Sequence, residues 1–151
     1  MILETCKLCR PSKGVILRAQ YWTVVLNENQ TLLGRCYFAL NRHETDALAT
    51  TMEEQAELFD LMRDVKTALD ALFSPNHYNY VMLMNTEPHV HSHIVPRYSS
   101  ERVFSGEVFV DGQLGDHYDP SAVKVLADDI FQELTDAISG AMPRREGAPT
   151  T

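Results

Sequence analysis

The chain has little positive charge to offer a polyanion. Its 13 lysines and arginines stand against 21 aspartates and glutamates, for a formal net charge of −8. Binding along a nucleic-acid polymer or an anionic membrane needs a basic patch, so both are excluded as expected partners, and any phosphate site has to be local. No apolar run approaches the roughly 20 residues of a membrane span, and Met1-Ile2-Leu3-Glu4-Thr5 lacks the basic and apolar regions of a secretory signal; the expected location is the cytoplasm. Cysteine is scarce and odd in number, at 3 residues, which does not make a disulfide framework. Internal repeats and low-complexity tracts are also missing. What is left is an ordinary globular composition, 44% hydrophobic and 23% charged over 151 residues, enough for one domain with a core and too little for two. We expect a single domain over residues 1–141 and a flexible tail over 142–151, where Met142-Pro143-Arg144-Arg145-Glu146-Gly147 and the residues after it carry no core material.

Against this background one stretch stands out. His89-Val90-His91-Ser92-His93-Ile94-Val95-Pro96-Arg97-Tyr98 places half of the six histidines within five residues, at spacing two. Alternate residues of a strand share a face, so a strand here puts three imidazoles in a row, roughly 6.6 to 7 Å apart. A neutral imidazole carries one donor and one acceptor nitrogen and titrates near neutrality, which suits it to nucleophilic attack, proton transfer or metal ligation. Cys6-Lys7-Leu8-Cys9 has the spacing of half a zinc clamp, but no second CxxC follows. Any further ligands must be histidines; the alternative is a surface pair without metal. Cys36, in a β-like run, reads as an inert core thiol.

The surrounding pattern is α+β. Residues 15–17, 22–26 and 36–40 read as strands, with Asn27-Glu28-Asn29-Gln30 turning between the last two. Thr51-Met52-Glu53-Glu54 is a capping box, and Leu58, Leu61, Met62, Val65, Leu69, Leu72 and Phe73 follow at helical spacing, predicting an amphipathic helix over 51–73 that Pro75 ends. Residues 78–84 predict a strand that forms a hairpin with the histidine strand through Asn85-Thr86-Glu87-Pro88. Beyond Tyr98 the glycines at 106, 112 and 115 predict a long loop or short hairpin, and Asp119-Pro120 predicts the start of a second amphipathic helix running to about Ala141.

The histidine segment resembles the signature of the histidine-triad (HIT) family, and its continuation Pro96-Arg97-Tyr98 is similar to bacterial members related to dinucleoside polyphosphate hydrolases. The likeness covers roughly residues 6 to 98: Gly34-Arg35-Cys36-Tyr37-Phe38-Ala39-Leu40-Asn41-Arg42-His43 resembles the family strand that ends in a histidine, the long helix follows in order, and Cys6-Lys7-Leu8-Cys9 matches the cysteine pair of zinc-containing members. The resemblance implies an approximately five-stranded antiparallel sheet with one long helix against it and a C-terminal helix. It implies hydrolysis or transfer of a nucleotidyl group at the α-phosphate of an anhydride, ester or amidate, through a covalent nucleotidyl-histidine intermediate, with His91 as nucleophile and His93 as phosphate contact. Asn27 and Asn85 become nucleotide contacts; for Asn27 a plain turn role stays open. Cys6, Cys9, His43 and His89 become the ligands of one structural zinc, the competing arrangement being His89, His91 and His93 on one metal. A homodimer is implied, with the helix around Leu58 to Phe73 contributing to its interface. The chain departs from the pattern in lacking the usual glycine-and-glutamine loop before the triad, which leaves the phosphate contacts open. Ser92 stands where an apolar or aromatic residue is usual. A zinc-stabilised nucleotide-binding or interaction module without turnover is the alternative function.

Overall fold

The computed structural model describes residues 5–144; the greater part of the expected tail, from 145 onward, lies outside the described residues. A five-stranded, wholly antiparallel sheet is built from β1 (Val15–Arg18), β2 (Trp22–Leu26), β3 (Cys36–Leu40), β4 (His77–Val81) and β5 (His91–Arg97), in the spatial order β1-β2-β3-β5-β4. The long helix α1 (Met52–Phe73) packs against it, a short hairpin of β6 (Arg102–Phe104) and β7 (Glu107–Phe109) follows, and α2 (Asp128–Ala141) closes the chain. The fold is the expected α+β architecture. No helix among the described residues is long and apolar enough to cross a membrane.

Strand alternation assigns the two faces of the sheet. Trp22, Val24, Leu26, Cys36, Phe38, Leu40 and Ile94 enter one buried cluster with Leu58, Leu61, Val65 and Leu69 of α1. The alternate positions Tyr37, Ala39, His91 and His93 then share the opposite face, Tyr37 directly across from His93 and Ala39 across from His91. Ser92, between the histidines, points to the α1 side, as the alternation requires. The capping box forms: Thr51 Oγ accepts from the Glu54 amide while the Glu54 carboxylate accepts from the Thr51 amide. The helix ends at Ser74 in the left-handed conformation, φ 48°, one residue before Pro75. Cys36 is fully buried, and burial pushes its thiol pKa well up, so it is inert packing.

Four expectations need correction. The strand expected over 78–84 ends at Val81, and Met82 to Met84 leave the sheet, Met84 at φ 52°. The second helix starts at Asp128, not at Asp119: the Asp119 carboxylate accepts from the Ser121 amide and hydroxyl, closing a turn instead of capping a helix, and residues 119–127 are irregular. The histidine strand starts at His91, so His89 is not part of the row. Met142, assigned to the tail, packs partly against the core.

The loops that approach the open face of the sheet are held from below. Gly34 has φ +84°, and a Cβ there would lie 2.7 Å from Leu69 Cδ2, so glycine is what lets the chain turn into β3 against α1. The buried Gln30 donates to the carbonyls of Asn27 and Arg35 and accepts from the Gly34 amide, and Tyr98 Oη donates to the Leu33 carbonyl. On the other side Arg97, 2% exposed, pairs with the equally buried Asp111 through two hydrogen bonds and also donates to the carbonyls of Gln113 and Asp116. That buried pair fastens residues 111–118 to β5.

Candidate active site and metal cluster

The backbone break at His89 divides the histidines between two sites. Before the strand begins, the His89 ring turns into the protein, fully buried, and its Nε2 donates to the Leu40 carbonyl at 2.8 Å. A carbonyl only accepts, so the proton is on Nε2 and the lone pair is on Nδ1. Nδ1 faces Cys6 Sγ at 3.4 Å, Cys9 Sγ at 3.7 Å and His43 Nδ1 at 3.2 Å, while Cys9 Sγ is 3.6 Å from His43 Nδ1. The ligand atoms of Cys6, Cys9, His43 and His89 all lie within 4.8 Å of one another and could hold a metal ion. Burial lowers the His89 pKa, which keeps the ring neutral and able to ligate. The three-histidine metal arrangement is not formed, because His89 faces away from the other two.

The main chain of the same residue serves the second site. His91 Nδ1 donates to the His89 carbonyl at 2.6 Å, which again fixes the tautomer and leaves the lone pair on Nε2. His91 is 9% exposed and lines a cleft of about 590 Å³ on the open face of the sheet. His93 is next along β5, its ring set edge-on to that of His91 with centroids 5.1 Å apart. Burial, followed by the neighbouring His91 and Arg35, lowers the His93 pKa to about 4, so the ring is neutral near pH 7. Its Nδ1 is buried with no hydrogen-bond partner.

All four residues expected to contact nucleotide or phosphate, Asn27, Asn85, His91 and His93, line this one cleft, and all four expected metal ligands form the one cluster. The sequence reading missed Arg35, Tyr37 and Tyr118, which line the same cleft. For Arg35 and Tyr37 a signal was available, since Cys36 read as core and its neighbours at one remove on either side must face the other way. Tyr118 enters from the irregular 111–118 segment, which carries no periodicity to read. Tyr37 is set against the His93 ring at 5.9 Å, and burial raises its pKa to about 12, so the phenol stays protonated. The Arg35 guanidinium lies over the Tyr118 ring, 5.2 Å from its centroid.

Comparison with known proteins gives a match to the HIT domain family over residues 13–100. No curated protein matches the sequence. Among solved structures, the chain is similar to a hypothetical histidine triad nucleotide-binding protein from Sulfolobus tokodaii, with 14% identity, TM-score 0.67, and 90% of this chain and 91% of the other covered. It is also similar to a Zn-bound histidine triad family protein from Mycobacterium smegmatis, with 16% identity, TM-score 0.61, and 90% and 94% covered. A third likeness is to the Plasmodium falciparum diadenosine triphosphate hydrolase, with 15% identity, TM-score 0.63, and 84% and 74% covered. At these identities the likenesses establish the fold.

The His93 geometry predicts a pH dependence of stability. Its folded pKa, about 4, lies below the unfolded value of 6.5, so between these values the unfolded state binds the extra proton and stability falls as pH falls. Unfolding by urea at a series of pH values is expected to show the wild type losing up to about 3 kcal/mol relative to His93→Gln between pH 7 and pH 4. Parallel curves for the two proteins would refute the assignment.

Proposed function

Because the chain belongs to the HIT domain family, we propose that it hydrolyses or transfers a nucleotidyl group at the α-phosphate of a small nucleotide, through a nucleotidyl-His91 intermediate. The observation that carries this reading is the 2.6 Å bond from His91 Nδ1 to the His89 carbonyl, which leaves an unprotonated Nε2 on a residue lining the cleft. In the first step the Nε2 lone pair attacks the α-phosphorus, the bond from phosphorus to the leaving-group oxygen or nitrogen breaks, and that atom departs with the electron pair. The ring becomes a phosphorylated imidazolium, its positive charge facing the His89 carbonyl oxygen through Nδ1–H. In the second step a water oxygen, or another acceptor, attacks the phosphorus, the P–N bond breaks, its electron pair returns to Nε2, and the acceptor proton passes to solvent. His93 contacts the non-bridging oxygens, on which charge develops. Asn27 and Asn85 contact the nucleotide. The Plasmodium protein named as a diadenosine triphosphate hydrolase supports a dinucleoside polyphosphate among the candidate substrates.

The metal cluster fits zinc. A tetrahedron with Zn–N near 2.0 Å and Zn–S near 2.3 Å has edges of about 3.3 Å between two nitrogens and about 3.5 Å between nitrogen and sulfur, close to the 3.2 to 3.7 Å separations seen here. Two thiolates and two imidazoles close the coordination sphere, so zinc would supply structural cross-linking of the amino-terminal segment, β3 and the triad, with no open position for substrate. Free thiolate ligands need a reducing compartment, in keeping with a cytoplasmic location.

The assembly we propose is a homodimer. Strand β4 is at the edge of the sheet, and beside it Leu58, Phe59 and Met62 of α1 with Tyr80 and Met82 line an apolar groove, Phe59 58% and Tyr80 52% exposed. An unpaired edge with apolar side chains is a surface that a two-fold partner covers.

Three measurements test this reading. His91→Ala is expected to abolish turnover of adenylated substrates while fold and nucleotide affinity persist, whereas His77→Ala and His117→Ala stay near wild type; an acid-labile nucleotidyl adduct should form on the wild type alone. An active His91→Ala protein sinks the mechanism, and a wild type that binds nucleotide without turnover supports the binding-module alternative. Metal analysis of protein purified without added zinc is expected to give one zinc per chain, lost in the Cys6→Ser, Cys9→Ser double variant. Sedimentation at micromolar concentration should give twice the chain mass, and a monomer mass would count against the dimer.

A further inference from the structure

The cleft contains a cation that the reaction above does not use. Arg35 follows Gly34 into β3 and is on the same face as Tyr37; by the register of β3 with β5 it falls two pairs beyond the Tyr37–His93 pair, opposite Val95. Its main chain is fixed, since the carbonyl accepts from the Asn27 amide and from Gln30 Nε2. Its guanidinium, laid over Tyr118, forms no hydrogen bond or ion pair among the described residues, and Nε is buried with no partner. Other arginines of this chain are satisfied: Arg97 by Asp111 and Arg42 by Glu54 and Glu44. Lys13, at the same cleft, is engaged by Asp128 and Glu28. A partly buried guanidinium without a counter-charge is costly, and its planar fork matches phosphate oxygens. It lines the same cleft as His91 and His93, and its charge acts on His93.

We propose that Arg35 binds the phosphate of the leaving group, next to the one attacked, and thereby makes the site selective for nucleotides with a phosphoanhydride at the α-phosphate over those with a neutral leaving group. This rests on the nucleotidyl-transfer reading. When the anhydride bond breaks, its bridging oxygen leaves with the electron pair, and the departing phosphate gains one negative charge. Arg35 meets that charge, whereas the nitrogen leaving from a phosphoramidate takes the electron pair together with a proton from solvent and departs as a neutral amine that presents none. Tyr118 holds the guanidinium flat against the cleft wall, and the Arg97–Asp111 pair holds the segment that carries Tyr118. The cation thus sits on two supports that are themselves buried.

The test has a binding arm and a turnover arm on the full chain, with metal retained and no magnesium added. Titration calorimetry compares ADP with AMP for the wild type, Arg35→Lys, Arg35→Gln and Arg35→Ala, with thermal unfolding as a check on folding. The wild type is expected to bind ADP about 10- to 100-fold more tightly than AMP, an advantage lost in the Gln and Ala variants and partly kept in the Lys variant, while AMP affinity changes by less than about threefold. In the turnover arm kcat/KM for a diadenosine polyphosphate should fall about 30-fold or more in Arg35→Gln, against less than about threefold for an adenosine phosphoramidate with a neutral amine leaving group. Equal binding of ADP and AMP by the wild type, an unchanged ADP advantage in the variants, or equal loss on both substrates overturns the assignment. An ADP advantage that depends on Arg35 in a protein that turns over neither substrate leaves the assignment standing and removes the proposed reaction instead.

Discussion

The His89 carbonyl, accepting from His91 Nδ1 at 2.6 Å, is the joint on which both sites turn. A carbonyl within a strand lies in the plane of the sheet, aimed at the neighbouring strand, where a ring standing on the sheet face does not reach it. Because β5 begins only at His91, the His89 peptide leaves the orientation of the strand, the Val90 amide donating to the Glu44 carbonyl, and its ring and carbonyl serve different sites. The ring goes inward to Leu40 and the cysteines, and the carbonyl remains with His91. One irregular residue therefore fixes the tautomer of its neighbour and anchors the amino-terminal segment. On the proposed reading, metal at the four-residue cluster stiffens the peptide that orients the nucleophile, although no reacting atom touches the metal.

The charge distribution follows the same economy. An acidic chain that binds an anion must concentrate its positive potential, and here the open face of the sheet does so with few groups. His93 is held neutral by burial, and most nearby cations are already paired with carboxylates. Arg35 is different because it lies over an aromatic face and forms no ion pair with a carboxylate among the described residues. A cation paired in the free protein would have to break that pair to receive a ligand, whereas one held by stacking keeps its donors available.

Much of this was legible in the sequence, for identifiable reasons. The capping box at Thr51 and the apolar spacing from Leu58 to Phe73 are local signals with local consequences, and α1 follows them to within a residue. Strands β2 and β3 are short, apolar and bounded by turn residues, and their limits were read correctly. Two of the misreadings depend on contacts distant in sequence. The Asp119-Pro120 signal is a sound helix start in isolation, but the Asp119 side chain closes its own turn, and residues 121–125 are drawn to Asn29, which hydrogen-bonds the Ala122 carbonyl and the Lys124 amide. The even spacing of the three histidines suggested one row, yet the place of His89 was decided by Cys6 and Cys9, 83 and 80 residues away. Spacing gave the chemistry of the residues and not the direction in which each faces. Tyr118 was invisible for the same reason, since Arg97 and Asp111 bring it to the cleft and nothing in its own neighbourhood announces it.

The buried groups left without partners are informative because the rest of the fold is so well satisfied. Gln30 uses its amide three times, Arg97 makes five hydrogen bonds to side chains and carbonyls, and Glu57 accepts from three consecutive amides at the turn between β1 and β2. Against that standard, unpaired buried nitrogens on Arg35 and His93, in one cleft and on adjacent strands, are a concentrated departure. Each unpaired polar group costs stability, so two together persist only where the surroundings hold them in place. The surroundings here are the Gln30 network under the Arg35 backbone and the Arg97–Asp111 pair behind Tyr118. Those contacts do not touch the cleft contents at all. They keep a donor-rich, incompletely satisfied surface open on one side of the sheet while α1 seals the other, and the deficit they hold in place has the chemistry of an anion.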